Sequence, residues 1–368
     1  MSQFTETDFN MMSRAIWLAK GGIYTTAPNP NVGCVITQNG DIVGEGFHYR
    51  AGEPHAEVHA LRMAGDKSVG ATAYVTLEPC SHYGRTPPCA EGLIKAKVAK
   101  VICAMQDPNP QVAGRGIQML RDAGIEVEVG LLEQDAIALN PSFIKRMQTG
   151  LPFVQLKMAA SLDGQTALAN GKSQWITSEA ARRDVQRYRA QSGAVLSTSK
   201  TVIEDNASLN VRWSDLPESV KAQYSESQLR QPVRVILDRQ NQLTTELKLF
   251  QAGGETLIVG PEGDVEMTLN ADQQISLQDT FATLASAHNI NHIWVEAGAT
   301  LASSLLQQDL VDELVIYLAP KIMGSDGRGL LGALGLESMS DVIELDIKDV
   351  RQVGKDIRIV ATILKKEN

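Results

Sequence analysis

The sequence predicts an α/β protein of two domains, on three observations. Short apolar runs of strand length alternate with amphipathic helical patterns along most of the chain. Asn140-Pro141 and Gly150-Leu151-Pro152 interrupt that alternation. At ~100–200 residues per domain, a chain of 368 residues holds more than one. We therefore expect domains at 1–148 and 149–368.

Each element follows from local pattern. Thr7 or Asp8 is placed to cap a first helix whose apolar face is Phe9, Met12, Ile16 and Ala19, stopped by Gly21-Gly22. The turn-rich Ala27-Pro28-Asn29-Pro30-Asn31 leads into a strand at 32–36, and Asn39-Gly40 turns it into a hairpin with 42–46. Helices at about 55–64, 89–97 and 116–123 alternate with strands at 71–77, 100–104 and 125–129, which closes a layered sheet near residue 130. Beyond the boundary, a strand at 153–158 precedes a helix at 178–189 and strands at 194–196, 233–237, 257–259 and 293–295. A helix follows Gly298, and strands at 313–318, 344–349 and 357–364 end the chain, implying a mixed sheet.

Composition narrows the partners. Hydrophobic residues at 43% supply a core for each domain and exclude disorder as the main state. Aromatics at 5% argue against stacking platforms for single-stranded nucleic acid. Lys and Arg number 34 against 43 Asp and Glu, a net charge of −9, so no broad attraction to a polyphosphate backbone is expected. A local phosphate pocket remains compatible. No run reaches the ~18 apolar residues of a membrane span, and the polar, acidic start is unlike a signal peptide. Four cysteines are too few to staple a chain of this size. These features predict a cytoplasmic protein without nucleic-acid or membrane partners.

One constellation carries chemistry. His55-Ala56-Glu57 opens a helix after Pro54, Pro79-Cys80 follows a strand, and Cys89 precedes a helix. One imidazole and two thiolates make three tetrahedral zinc ligands, and catalytic zinc keeps its fourth position for water. In the zinc deaminases of nucleobases, a Glu two residues after the His moves a proton from the activated water to the leaving ammonia. Glu57 stands in that place. An i,i+2 pair diverges by about 200° on a regular helix, so the two can converge only at a helix start. The order His55-Ala-Glu-Val-His59 does not match the H-E-x-x-H of metalloproteases. A structural zinc site would need a fourth protein ligand, for which His82 is the nearby candidate. Cys34 and Cys103, in apolar strands, read as core residues.

The segment Pro79-Cys-Ser-His-Tyr-Gly-Arg-Thr-Pro-Pro-Cys89 is longer than the Pro-Cys-x-x-Cys of common nucleoside and tRNA deaminases. With Pro28-Asn-Pro-Asn-Val-Gly33 and Gly52-Glu-Pro-His-Ala-Glu57, it resembles the bifunctional deaminase/reductase family of bacterial riboflavin biosynthesis, over essentially the whole chain. The resemblance implies an N-terminal cytidine-deaminase-like three-layer αβα domain. That domain would hydrolyse the 2-amino group of a diaminopyrimidinone bearing a phosphoribosylamino arm. It implies His55, Cys80 and Cys89 as zinc ligands, Glu57 as proton shuttle, and Asn29, His82 and Arg85 at the substrate, with Arg85 suited to phosphate.

The second half has no G-x-G-x-x-G after its first strand. Val295-Glu296-Ala297-Gly298-Ala299-Thr300 ends a strand and opens a helix, where glycine lets a phosphate approach backbone N–H groups. A second flexible loop spans 324–329. Lys157-Met-Ala-Ala-Ser-Leu-Asp-Gly164, Gln174-Trp-Ile-Thr-Ser178 and Val295-Glu-Ala-Gly298 look like the same family's C-terminal domain. The resemblance implies a dihydrofolate-reductase-like α/β domain that uses NADPH to reduce the ribosyl arm of the deaminated product to ribityl. By position, Ala159, Trp175, Thr201, Asp205, Gly298, Ala299 and Thr300 would line the NADPH site. Lys157, Ser173, Arg189, Leu209, Arg212 and Glu296 would face the substrate, Arg189 and Arg212 suiting its terminal phosphate. Lys157, Asp205 and Glu296 are the candidates for polarising the sugar. Family members are often homo-oligomers through this domain. The chain departs from the family where Asp-Asp-Pro-x-Leu-Thr-Val-Arg reads Asp205-Asn-Ala-Ser-Leu-Asn-Val-Arg212, and where a Gly-rich turn reads Ser197-Thr-Ser-Lys-Thr201.

Two other functions fit parts of the pattern. A tRNA-editing deaminase fused to an unrelated domain is disfavoured by the long Cys–Cys loop, the missing basic patch and the charge of −9. A structural zinc module with a nucleotide-sensing domain would deaminate nothing, whatever stands at position 57.

Overall fold

Thr5, not Thr7 or Asp8, caps the first helix, α1 (Glu6–Ala19). The Asp8 N–H donates to the Thr5 hydroxyl while the Asp8 carboxylate accepts the Thr5 N–H, so Asp8 serves as the third helical residue of a reciprocal cap. A computed structural model describes residues 4–83, 87–110 and 112–364. The chain divides into two compact units, Met1–Gly150 and Leu151–Asn368.

In the first unit α1 is followed by β1 (Gly33–Gln38), β2 (Asp41–Phe47), α2 (Ala56–Ala64), β3 (Thr72–Val75), α3 (Cys89–Lys95), β4 (Lys100–Cys103), α4 (Arg115–Asp122) and β5 (Glu126–Val129). The sheet order is β2-β1-β3-β4-β5, with β1 antiparallel to both neighbours and β3, β4 and β5 parallel. Alternation sends side chains to two cores. Cys34 and Ile36 of β1 pack with Ala56 and Ala60 of α2 and Leu93 of α3, whereas Val35 packs with Met12 and Ala15 of α1. The result is a three-layer αβα arrangement. Cys34 and Cys103 are fully buried, as their apolar surroundings suggested. Gly44 of β2 lets α2 sit close, since a Cβ there would lie 2.1 Å from the Ala60 carbonyl oxygen.

The sheet ends at Val129, near the expected residue 130, and the unit continues beyond it. Two further helices, α5 (Glu133–Leu139) and α6 (Pro141–Thr149), return to the α1 face, where Ala136 and Ile144 join its core. Asn140, between them, accepts the Asn31 N–H at 2.7 Å and donates to the Asn31 carbonyl at 2.9 Å. Asn140-Pro141 is therefore a helix junction inside the unit, with proline at the first position of α6. The expected boundary at 148 falls within the last turn of α6.

The second unit runs β6 (Phe153–Ser161), β7 (Gln165–Ala167), α7 (Glu179–Gln191), β8 (Ala194–Thr198), α8 (Ser199–Asp205), α9 (Glu218–Lys221), β9 (Val233–Leu237) and α10 (Lys248–Gln251). It continues with β10 (Thr256–Gly260), β11 (Val265–Glu266), α11 (Leu277–Ala287), β12 (His292–Glu296), α12 (Ala299–Gln307), β13 (Glu313–Ala319), β14 (Arg328–Gly329), β15 (Leu345–Val353) and β16 (Asp356–Ile363). The main sheet is ordered β11-β10-β9-β8-β12-β6-β13-β16-β15. It is mixed: parallel from β11 to β13, with β16 and β15 antiparallel. On one face α11 and α12 cover Leu156, Leu196 and Val295, and on the other α7 and α8 cover Val195 and Trp294. Strand β12 is inserted between β8 and β6, which places three carboxyl-terminal strand ends side by side. Open α/β sheets bind ligands at such an edge. No helix among the described residues is long and apolar enough to cross a membrane.

Candidate active sites

His55 is the N-cap of α2, with extended backbone (φ −73°, ψ 170°), while Glu57 lies in the first helical turn. Because His55 stands outside the helix, it escapes the divergence of a helical i,i+2 pair. Cys89 opens α3, and its N–H donates to Cys80 Sγ at 3.3 Å. His55 Nδ1 lies 3.6 Å from Cys80 Sγ and 3.3 Å from Cys89 Sγ, and the three ligand atoms fall within 4.8 Å of one another. Tetrahedral zinc, with Zn–N of ~2.0 Å and Zn–S of ~2.3 Å, separates nitrogen from sulfur by roughly 3.5 Å. The donor set fits the ion. His82 is exposed and outside this cluster, so the described residues form three ligands without a fourth.

Glu57 is 3% exposed, and its Oε2 has no hydrogen-bond partner among the described residues. Burial raises its pKa, against a lowering by His55. The Cys80 thiol is lowered to about 4, first by a hydrogen bond from the Cys89 side chain and also by one from His55. Cys89, the donor in that pair, is correspondingly raised. Hydrogen bonding at Cys80 thus favours the thiolate form that a metal ligand needs.

Asn29 lies beside this site, half-buried, and its Nδ2 donates to His48 Nε2 at 3.0 Å. The His48 Nδ1–H in turn donates to the Pro54 carbonyl at 3.2 Å, and the ring meets His55 edge-on at 5.2 Å. That chain fixes the Asn29 amide nitrogen, so that its oxygen is the end opposite His48. His48 escaped the sequence analysis because a lone histidine after a strand has no motif. Glu78 also escaped it. This buried carboxylate, two residues before Cys80, accepts the N–H groups of Asp107, Gly114, Gly116 and Ile117, which ties the Cys80 loop to the start of α4. An acidic residue between an apolar strand and Pro79-Cys80 was the available signal. Arg85 lies outside the described residues.

In the second unit, Lys157 on β6 stands in register with Glu296 on β12. Glu296 accepts Arg189 Nε at 2.6 Å, Arg189 Nη2 at 2.9 Å and Trp294 Nε1 at 2.9 Å. Burial alone would raise its pKa, but Arg189 overrides that and holds it at about 2. Lys157 is lowered, chiefly by burial, with Glu296 and Asp205 acting in the opposite sense. Arg189, expected at the substrate phosphate, is buried, and each of its three guanidinium nitrogens donates one hydrogen bond, the third to the Asn210 carbonyl. Arg212 is exposed beside Asp215.

Gly298 precedes α12, and nothing lies within 4 Å of a Cβ built on it. Ser178, Thr198 and Ser276 cap α7, α8 and α11 with their side chains, whereas α12 has no side-chain cap. Its first-turn N–H groups, including those of Ala299 and Thr300, are thereby left to an anion, which fits the diphosphate of a dinucleotide. Thr201 lies in the first turn of α8 at the neighbouring strand end, and Asp205 is exposed at the far end of that helix. Ala159 is half-buried on β6. Leu209 is buried with φ of 54°, and Asn206, where the family has Asp, takes φ of 44° as the C-cap of α8. Asparagine tolerates that left-handed conformation. Ser173 and Trp175 are exposed, and Arg182 stacks over the Trp175 ring at 4.5 Å.

A zinc-type pyrimidine deaminase fold joined to a reductase-type α/β fold is the class that these two units define. Residues 5–105 match the cytidine and deoxycytidylate deaminase zinc-binding region, and residues 152–359 match the RibD C-terminal domain. The chain is 54% identical to the riboflavin biosynthesis protein RibD of Escherichia coli K12, covering 94% of this chain and 96% of that one. Against the protein of the same name from Haemophilus influenzae it is 52% identical, over 98% and 99% of the two chains. Acinetobacter baumannii RibD superposes with a TM-score of 0.91 at 46% identity, over 98% and 99%. A deaminase/reductase from Thermotoga maritima superposes with a TM-score of 0.83 at 34% identity, over 97% and 99%. The chain belongs to the RibD family of riboflavin biosynthesis proteins, and it is a deaminase and a reductase in one polypeptide.

Proposed function

We propose that the chain catalyses two consecutive steps. The first is hydrolytic deamination of 2,5-diamino-6-(5-phosphoribosylamino)pyrimidin-4(3H)-one. The second is NADPH-dependent reduction of the ribosyl arm of 5-amino-6-(5-phosphoribosylamino)uracil to ribityl. The observation that carries the first step is the three-ligand cluster beside a buried carboxylate with an unpartnered oxygen. His55, Cys80 and Cys89 would hold zinc, which when bound would supply the Lewis acidity that makes a water nucleophilic near neutral pH. Glu57 takes a proton from the attacking water and returns one to the departing amine, so water and the amine become the ring carbonyl and ammonia. Asn29 and His82, with Arg85 for phosphate, are our candidates for holding the substrate.

In the second unit, hydride goes to C1′ of the opened ribose. Of the three candidates for polarising the sugar, Glu296 is fully ionised and can only accept hydrogen bonds. Asp205 is exposed. Lys157, an ammonium whose pKa burial lowers, is the proton donor we favour. The uncapped start of α12 supports NADPH binding at Gly298, Ala299 and Thr300, and Thr201 and Ala159 are our further candidates for that site.

Supplying the diaminopyrimidine to the full chain tests both steps. Ammonia release should proceed without NADPH, and NADPH oxidation should begin only after deamination. Ammonia from tRNA but not from the phosphoribosyl pyrimidine would overturn the assignment.

We also place the protein in the cytoplasm, as a homo-oligomer through the reductase unit. Support for the oligomer comes from β15, an edge strand on which Ile347 and Val350 are 59% and 58% exposed. Analytical ultracentrifugation at micromolar concentration should show a dimer or larger species, and a monomer would refute the proposal.

A further inference from the structure

We infer that Trp294 and Arg189 are positioning residues of the reductase, which together lock the Glu296 carboxylate so that one acceptor of Oε2 is presented to the hydroxyls of the sugar arm. The inference rests on the reading that Glu296 faces the substrate. Trp294 and Glu296 are two residues apart on β12, so both side chains project from the same face of the sheet. The indole is fully buried and its only polar atom, Nε1, donates to Glu296 Oε1. Tyr188 of α7 stacks on that indole with ring centroids 4.6 Å apart and planes 7° from parallel. The next residue, Arg189, grips the same carboxylate with Nε on Oε1 and Nη2 on Oε2. Two adjacent residues of α7 thus fix two residues of one strand face.

The backbone is held as well, since Ser197 Oγ donates to the Glu296 carbonyl at 2.6 Å. Among the described residues Oε1 accepts two hydrogen bonds and Oε2 one, so Oε2 keeps an acceptor position that none of them fills. A carboxylate with a fixed plane and one spare acceptor suits recognition of a hydroxyl. A freely rotating one would lose that selectivity to side-chain entropy. The charged groups around Glu296 are Arg189 from α7 and Lys157 from β6, with Asp205 of α8 acting on Lys157.

Trp294→Phe keeps an aromatic ring against Tyr188 and removes the N–H together with one of the two fused rings. Arg189→Lys keeps the charge and removes the two-pronged grip. Each should raise the KM for 5-amino-6-(5-phosphoribosylamino)uracil about tenfold, as expected for a lost hydrogen bond to a charged group. The KM for NADPH and the deaminase rate should stay unchanged. The acid limb of the reductase kcat/KM profile should also move to higher pH, because Glu296 loses donors that favour its ionised form. Glu296→Gln is the reference variant. If it impairs reduction while both other variants keep wild-type KM and pH profile, the positioning role is refuted. If Glu296→Gln itself reduces normally, the premise that Glu296 meets the substrate fails instead. Should Trp294→Phe not fold, the Arg189→Lys profile decides.

Discussion

Glu57→Gln is expected to retain zinc and to deaminate about 10²–10⁴-fold more slowly, the span of a lost general acid–base. Glutamine keeps the side-chain volume at a position only 3% exposed, so the ligand cluster should survive. It cannot take a proton from water or return one to the amine. Metal content per chain and ammonia release measure the two halves of the expectation, and reduction of the already deaminated compound should continue at the wild-type rate. Undiminished ammonia release from a zinc-replete variant would remove Glu57 from the mechanism and favour a structural metal site.

Asp184→Ala should destabilise the second unit by about 3–5 kcal/mol, the usual cost of removing one partner from a buried ion pair. Asp184 accepts Arg358 Nη1 at 2.8 Å, the Tyr317 hydroxyl at 2.7 Å and Arg187 Nε at 3.1 Å. Arg358 and Tyr317 are themselves 5% and 0% exposed, so water cannot replace the lost carboxylate. Burial raises the Asp184 pKa, but Arg187, Tyr317 and Arg358 together bring it below the ordinary value. A carboxyl lowered in the folded state contributes stability above its unfolded pKa of about 3.9 and loses it as pH falls through the folded value. The gap between wild type and variant should therefore be constant near pH 7 and narrow below about pH 4. Urea unfolding at several pH values measures it, and a pH-independent gap would show that Asp184 acts by packing alone.

The two sites differed in how far the sequence exposed them. His55, Glu57, Cys80 and Cys89 could be read directly, because each sits at a helix start or strand end that a few neighbouring residues specify. Proline before the helix and glycine at the turns are local signals of local geometry. The uncapped start of α12 was visible for the same reason, as Gly298 between a strand and a helix. Arg189 was not. In an arginine-rich helix it resembled a solvated or phosphate-binding charge, and its partner lies 107 residues away. Asn140-Pro141 read as an interruption because turn chemistry marks any helix junction. Its exchange of hydrogen bonds with Asn31, which ties this junction to the strand-leading turn, is not visible in the local pattern.

By itself, then, the sequence determined the fold class and the main strands and helices, and it offered a candidate metal-ligand set, all of which depend on periodicity and on residues close along the chain. The tertiary structure alone decided which charges meet. Insertion of β12 between β8 and β6 brings Glu296 beside Lys157 and against α7. With most of its side chain covered there, Glu296 needs a partner to stay ionised. Its partner was chosen by sheet order, a long-range property that no local pattern encodes.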